Sequence, residues 1–318
     1  MQHPSLQRIL QTAGIPNLVE ILSQKLSPSD LQSLLLAVYQ QQAENITPTQ
    51  LKEQYLNNRF VKSSLVDPIK FLAFDQLAFA IAKTNFLPIE LAPLAPLGSC
   101  SAIASVHQNK VVATSRNVEV MSDPTNIMAL EGAIRREKLL KIHPKDKTVI
   151  NLCCSQRVTR AQFWNQPNSF AHFKLFALCS AGSDMGNYQF EKQELEKHLT
   201  FYLDLMTAAN TSFHFPKVEV LITPIEKRLI PFLTGYLFPK LNAKFPSIIL
   251  KIDPERESGI GYYQTLCFQI NAAPESGDFL NLVDGGFTDW TQQLVSNRKE
   301  RCLISAIGSE RAVLLFRQ

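Results

Sequence analysis

The sequence predicts an α+β protein, with one large antiparallel sheet flanked by helices and an N-terminal helical segment ahead of it. Three observations predict this. Helix starts and helix-spaced apolar residues fill positions 1–84. Short β-rich runs punctuated by proline take over from Phe86. Connections of hairpin length join "KVVATSR" to "VEVMS" and the two strands that lead into "DGG"; a parallel pair would need a crossover of about a dozen residues.

The helices announce themselves first. "SPSD" at Ser27, "TPTQ" at Thr47, "DPIK" at Asp67 and "TPIE" at Thr223 each offer a side-chain acceptor followed by proline. That order predicts an N-cap, because proline's missing N–H costs nothing at the first helical position. The first start leads into "LQSLLLAVYQQQ" and the third into "IKFLAFDQLAFAIAK", both apolar at helical spacing. Residues 1–69 are accordingly expected as an N-terminal helical segment and residues 70–318 as the core domain. Within the core, helical patterns at 124–140, 189–209 and 224–242 interrupt the runs "LPIELAPLAP", "KVVATSR", "VEVMS", "TVINLCC", "HFKLFALCS", "VEVLIT", "SIILKI", "GYYQTLCFQINA" and "RCLISAIG". Neither Gly-x-Gly-x-x-Gly nor the P-loop pattern occurs, so no common phosphate-loop fingerprint is present.

With 318 residues, 45% hydrophobic and 19% charged, the chain can bury a large core. A net charge of +4 falls well short of a nucleic-acid surface. The start, "MQHPSLQRILQTAG", lacks a secretory pattern, and no apolar run reaches the span of about 18 residues that a membrane helix needs. A cytoplasmic protein without a membrane segment is expected. Cys100, Cys153, Cys154, Cys179, Cys267 and Cys302 form no CxxC pair, so they read as buried small hydrophobes rather than a metal site.

Four stretches carry candidate chemistry. In "NVEVMSDPTNIMALEGAIRRE" a strand runs into a helix at Asp123, which either caps that helix or faces a pocket as an ammonium acceptor. In "LCCSQRVTRAQFWNQPNSFAHFKLFALCSAG" two strands flank a polar loop, and Arg160 lies either on a solvated face or inward as a clamp for phosphate or carboxylate. In "ESGIGYYQTLCFQINA" two glycines precede Tyr262 and Tyr263; a bulge or a close backbone approach explains the glycines, and alternation along a strand would send only one tyrosine into a pocket. The last is "DGGFTDWTQQLVSNRKERCLISAIGSER", where Gly285-Gly286 reads as a turn and Gly308 as the junction to a C-terminal helix carrying Arg311.

In this order the four stretches resemble the catalytic core of a class II aminoacyl-tRNA synthetase, most closely the histidyl-tRNA synthetase branch. "FDQLAFAIAKTNFLPIELAP", with Pro93, is similar to that family's first motif. "MSDPTN" resembles its substrate loop through Asp123 and Thr125, and "VTRAQ" its second motif through Arg160. "SGIGYYQTLCFQ" resembles the branch-specific tyrosine segment, "GGFTD" the glycine pair and "IGSER" the third motif. The resemblance covers roughly residues 70–317.

The resemblance implies a six-stranded antiparallel sheet flanked by helices, a homodimer built on the first motif, and a site for ATP, with Mg²⁺, and an amino acid. It implies Arg160 at the α-phosphate as the catalytic group, Gln162 and Arg311 as nucleotide-binding, and Asp123, Thr125, Tyr262 and Tyr263 as substrate-binding. If active, the protein would be an adenylate-forming ligase. Departures from the family pattern redirect that expectation. Ser258 stands where the branch has its catalytic arginine, Gly261 where it has an aspartate, Gln162 for a glutamate, and Phe287 for an arginine. Leu175 and Cys179 fall where the family reads the imidazole of histidine. A paralogue that has left tRNA charging and keeps a nucleotide or small-metabolite pocket follows, with the anticodon-binding domain expected to be absent. The alternative is a non-catalytic regulatory subunit, resembling the synthetase-like activator of ATP phosphoribosyltransferase, which would require a partner enzyme.

Overall fold

The computed structural model describes residues 4–104, 106–162, 170–208, 213–275 and 277–316. Of the polar loop expected around Arg160, residues 163–169 lie outside the described residues.

Helices fill the first part of the chain: α1 (Pro4–Ala13), α2 (Leu18–Glu20, continued as a π-helical turn to Lys25), α3 (Pro28–Glu44), α4 (Pro48–Asn57) and α5 (Pro68–Ala82). Three of the four expected caps form. The Asp30 N–H donates to Ser27 Oγ at 3.2 Å and the Ile69 N–H to Asp67 Oδ1 at 2.9 Å. Thr47 and Gln50 make a reciprocal capping box. Helices α1 to α4 bury no residue, whereas α5 buries Phe71, Phe74, Ala78 and Ala82 in the main core.

The fourth start is a correction. Thr223 and Pro224 end strand β6 (Lys217–Pro224), where they pair with Cys267 and Leu266, and the Thr223 hydroxyl donates to Asp253 O at 2.8 Å. Sheet pairing takes the local cap signal over, and helix begins only after a 3₁₀ turn at Lys227–Leu229, with α9 (Ile230–Phe232), a π-helical turn, and α10 (Phe238–Lys244).

The remaining strands are β1 (Leu87–Pro88), β2 (Leu94–Pro96), β3 (Val118–Val120), β4 (Ile150–Thr159), β5 (His172–Ser183), β7 (Ile249–Ile252), β8 (Leu266–Ala273), β9 (Leu280–Thr288) and β10 (Glu300–Ile307). Eight of the strands form one sheet in the order β1-β4-β5-β10-β9-β8-β6-β7. Every central pairing is antiparallel; only the edge strands β1 and β7 run parallel to their neighbours. The run "KVVATSR" is not a strand. It meets β3 through an isolated bridge at Ala113 and Glu119, closed by the Val120 N–H to Val112 O bond of 2.8 Å, with Asn117 at φ 53° in the turn.

One face of the sheet packs on α5 and α8 (Gln189–Ala208), bringing Phe74, Phe176, Phe190, Phe201 and Tyr202 into one core. Phe287 belongs to this core, with Phe190 against it at 6.4 Å between ring centres. The other face is covered by α7 (Pro124–Ile142), whose Met128 and Ala129 meet Leu152, Cys154, Ala177 and Cys179. Gly132 allows the close approach, since a Cβ there would stand 2.9 Å from that of Ala181. The wholly buried Arg136 fixes α7 in place. Its Nε donates to Glu300 at 2.8 Å, Nη1 to Thr148 O at 2.7 Å and Nη2 to Ser183 Oγ at 2.6 Å. Short helices α6 (Ser99–Ile103) and α11 (Trp290–Val295) flank α7, and α12 (Ser309–Leu315) follows β10 directly at Gly308, as the sequence suggested. All six cysteines are free and buried. Among the described residues no helix is long and apolar enough to cross a membrane.

The glycine pair is a second correction. Gly285 and Gly286 form no turn; they sit inside β9, paired with Ser305 and Ile304. A Cβ on Gly285 would lie 2.5 Å from that of Ser305 and 2.8 Å from the Ile304 carbonyl oxygen.

Two stability predictions follow from these contacts. Gly285→Ala should lower the urea midpoint by the equivalent of about 1–3 kcal/mol, the usual cost of overpacking, whereas Gly235→Ala, with nothing within 4 Å, should not. Glu300→Ala should cost about 3–5 kcal/mol by stranding the Arg136 charge. Adding Arg136→Met to it should recover part of the loss, measured by the same denaturation.

Candidate functional site

A cavity of about 500 Å³ opens on the α7 side of the sheet, within the range usual for small-molecule sites. Its floor is built by sheet register. Ala306 of β10 lies between Ala177 of β5 and Asp284 of β9, with Ile304 and Leu175 on the same face two residues away along their strands. Leu175, Ile304, Ala306 and Asp284 all line the cavity, so one carboxylate rises from an otherwise apolar floor.

Asp123 stands at the N-terminus of α7, where one oxygen caps the helix and the other faces the cavity. Its Oδ1 accepts from the Thr125 N–H at 3.0 Å and the Thr125 hydroxyl at 2.7 Å, which is the cap. Its Oδ2 turns to the cavity and takes the Arg160 Nη2 at 3.2 Å. Arg160 follows the last residue of β4, and its inward direction is fixed by the Nε bond to Ser122 O at 3.0 Å and by the Phe173 ring 5.1 Å below the guanidinium. Its side chain remains 35% exposed, within reach of a ligand.

Both tyrosines line the cavity, which corrects the expectation that only one could. The alternation argument fails because β8 starts at Leu266. Residues 259–263 form a tight turn instead, with the Tyr262 and Tyr263 N–H groups both donating to Gly259 O at 3.0 and 2.9 Å. Gly259 and Gly261 take φ of +83° and +88°, backbone that favours glycine. The rings meet edge to face at 4.9 Å, and Tyr262 stands on Trp290. Gly286 makes room for them, since a Cβ there would fall 2.5 Å from the Tyr263 ring. The Tyr263 hydroxyl donates to Asp284 Oδ1 at 2.5 Å, and burial, then the Asp284 charge, push its phenol well above the usual range.

The charges around the cavity are paired almost throughout. Asp284 takes Arg256 Nη2 at 2.8 Å, Glu310 takes Arg157 Nη1 at 3.0 Å, and Lys174 meets Asp75. Arg311, on α12, is different. Its hydrogen bond runs to the Asn281 carbonyl at 2.8 Å, and among the described residues no carboxylate faces it. Burial lowers the pKa of its guanidinium, the sign of a desolvated charge.

Six of the seven residues singled out in the sequence thus surround one cavity: Asp123, Thr125, Arg160, Tyr262, Tyr263 and Arg311. Gln162 does not line it; its carbonyl accepts from Arg59 Nη1 at 3.2 Å. Cys179 lies on the same face but under α7, outside the cavity and 3.9 Å from Cys302, while Leu175 lines the cavity. Sequence reasoning did not single out Asp284, Glu310 or Arg256. Asp284 and Glu310 stood beside recognised residues in "DGG" and "GSER"; Arg256 gave no local signal.

No protein-family model and no curated protein matches this sequence. Solved structures do. Histidyl-tRNA synthetase from S. aureus aligns with a TM-score of 0.58 at 14% identity, over 80% of this chain and 67% of that one. An ATP phosphoribosyltransferase regulatory subunit/histidyl-tRNA synthetase from Bacillus halodurans gives 0.58 at 14%, over 81% and 82%. A histidine–tRNA ligase subunit from Alicyclobacillus acidocaldarius gives 0.56 at 11%, over 80% and 95%. The chain therefore has the fold of a class II synthetase core of the histidyl-tRNA synthetase type.

Proposed function

We propose that this chain is a histidyl-tRNA synthetase-like protein that does not charge tRNA and that binds a small anionic metabolite or nucleotide in the cavity. One observation carries the reading: Arg311 is a desolvated cavity cation whose partner is a carbonyl, while the other cavity charges are already paired. An anion beside it would offset the cost of burying its charge. Arg160 would hold the same anion from the other side, kept in place by its bond to Asp123 Oδ2. The tyrosine rings offer an edge and a face to a planar ligand.

Histidine does not suit this cavity. Where the resemblance places the imidazole-reading groups, Leu175 and Cys179 offer no polar partner, and polar atoms buried without partners are costly.

Arg160 and Arg311 would take the phosphates of ATP, but a protein-held magnesium ion does not fit. Asp123, Asp284 and Glu310 spend their oxygens on the bonds already described, and among the described residues no group of three metal-binding side chains occurs. Ser258 supplies no charge where the family has its arginine, and loss of one such group typically costs about a hundredfold or more in rate. Arg256 does not replace it, being tied to Ser258 O at 2.7 Å and to Asp284. Ligand binding, rather than activation of a carboxylic acid, is therefore the function proposed.

A second reading makes the bound metabolite a signal for a partner enzyme. It is favoured by the likeness to the Bacillus halodurans regulatory subunit/synthetase, which spans 82% of that chain. In either reading we place a homodimer at α5 and β1, where Ile69, Leu72 and Leu87 are 68%, 63% and 54% exposed. The buried free cysteines suit a reducing cytoplasm.

A thermal-shift screen with ATP and the amino acids tests the proposal. Ligand at 100 times its Kd should stabilise by about 2.7 kcal/mol and raise the melting temperature. Arg160→Ala and Arg311→Ala should each abolish the rise, and no amino acid should support exchange of pyrophosphate into ATP. Absence of any shift with every ligand would sink the reading, and a preferred response to histidine would sink its specificity.

A further inference from the structure

The connection between the N-terminal helices and the core, residues 58–66, crosses the edge of the site and touches it at three points. Arg59 Nη1 donates to Gln162 O at 3.2 Å, and Nη2 donates to Ala161 O. The Lys62 carbonyl faces His172 Nε2 at 2.5 Å. The Ser64 hydroxyl donates to Glu310 Oε1. Beyond these contacts, the buried Val66 anchors the segment in the core.

The contacts form a closed circuit. Lys62 O can only accept, so His172 carries its proton on Nε2 and its Nδ1 accepts from Arg157 Nη1 at 3.0 Å. The same Nη1 donates to Glu310 Oε2 at 3.0 Å, and Glu310 Oε1 returns the path to Ser64. Glu310 Oε2 also accepts the Lys174 N–H at 3.0 Å, tying the circuit to β5.

The placement of these contacts matters more than their number. Ala161 is the residue after Arg160, and Glu310 the residue before Arg311. Each arginine that would hold the anion is therefore one residue from a group pinned by the same segment. Arg160 leaves the end of β4 and Arg311 rides on α12; within the core β5 joins them, through its pairing with β4 and the Lys174 N–H to Glu310, and the segment 58–66 joins them a second time from outside the sheet. We propose that residues 58–66 are a positioning strap that sets the distance between Arg160 and Arg311, with Arg59 and Ser64 as its positioning residues. The strap deepens the anion-binding reading above and rests on it.

The full chain carrying Arg59→Ala and Ser64→Ala tests this, with ATP and inorganic pyrophosphate as probes in titration calorimetry and hydrogen exchange read on the free protein. The double variant should keep the melting temperature of the parent within a few degrees and bind both probes about tenfold more weakly, the equivalent of ~1.4 kcal/mol. Arg59→Ala with Ser64→Thr, which keeps the hydroxyl, should recover part of the affinity. Exchange should rise at Arg160 to Gln162 and at Glu310 to Ala312 and stay unchanged in β8 and β9. Unchanged affinity in the double variant would overturn the strap. If the parent binds neither probe, the anion-binding reading has failed, and the strap is judged on exchange alone: selective deprotection of those two segments supports it, and unchanged protection overturns it. Should the double variant melt early, Arg59→Ala alone carries the same comparison.

Discussion

Everything at the site depends on α7 lying flat against the sheet, and a buried guanidinium holds it there. Arg136 reaches Glu300 on β10, Ser183 on β5 and the Asp146–Thr148 turn, so one side chain ties the helix to two strands and to its own exit. A buried ion pair is a weak source of net stability, because desolvation consumes most of the Coulomb gain. Its value here is registry. A helix held only by Met128 and Ala129 could slide along an apolar face, but six hydrogen bonds from one planar group admit one position. That position carries Asp123, at the other end of the helix, to the edge of the cavity.

From that frame, the cavity is assembled out of residues that serve two partners at once. Asp123 spends one oxygen on the helix and the other on Arg160. Asp284 takes Arg256 on one oxygen and the Tyr263 hydroxyl on the other. Glu310 divides its oxygens between Ser64 and Arg157. Shared carboxylates keep the arginines in fixed directions without a ligand, the condition for binding without a large ordering cost. They also mean that an added cation would have to displace an arginine, while an added anion beside Arg311 displaces only a carbonyl contact.

How much of this could be read from the sequence depends on the range of the physics. Ser27, Thr47 and Asp67 gave their helix starts correctly because a cap is decided within four residues. Thr223-Pro224 carries the same local signal, yet pairing with β8 outweighs it, and nothing within four residues announces that partner. The glycine pair misled for the same reason. What demands glycine at 285 and 286 is Ser305 on the next strand and the ring of Tyr263, both remote in sequence. The order of motifs located the cavity's cations and tyrosines, because order survives where single residues drift. Arg256 and Glu310 remained invisible as site residues, since their importance lies wholly in the carboxylate or guanidinium that tertiary structure brings to them.

Phe287 and Leu175 show how differently two departures from the family pattern can act. Phe287 points to the α8 side of the sheet, where it packs on Phe190, so this departure from the motif pattern lies in the core and not in the cavity. Leu175 points to the α7 side and forms part of the cavity lining itself. The first substitution strengthens the scaffold and leaves the ligand's surroundings alone. The second bears on any ligand, because a polar atom buried against Leu175 would lose its water without gaining a partner. The scaffold and the ligand preference are thus set on opposite faces of one sheet.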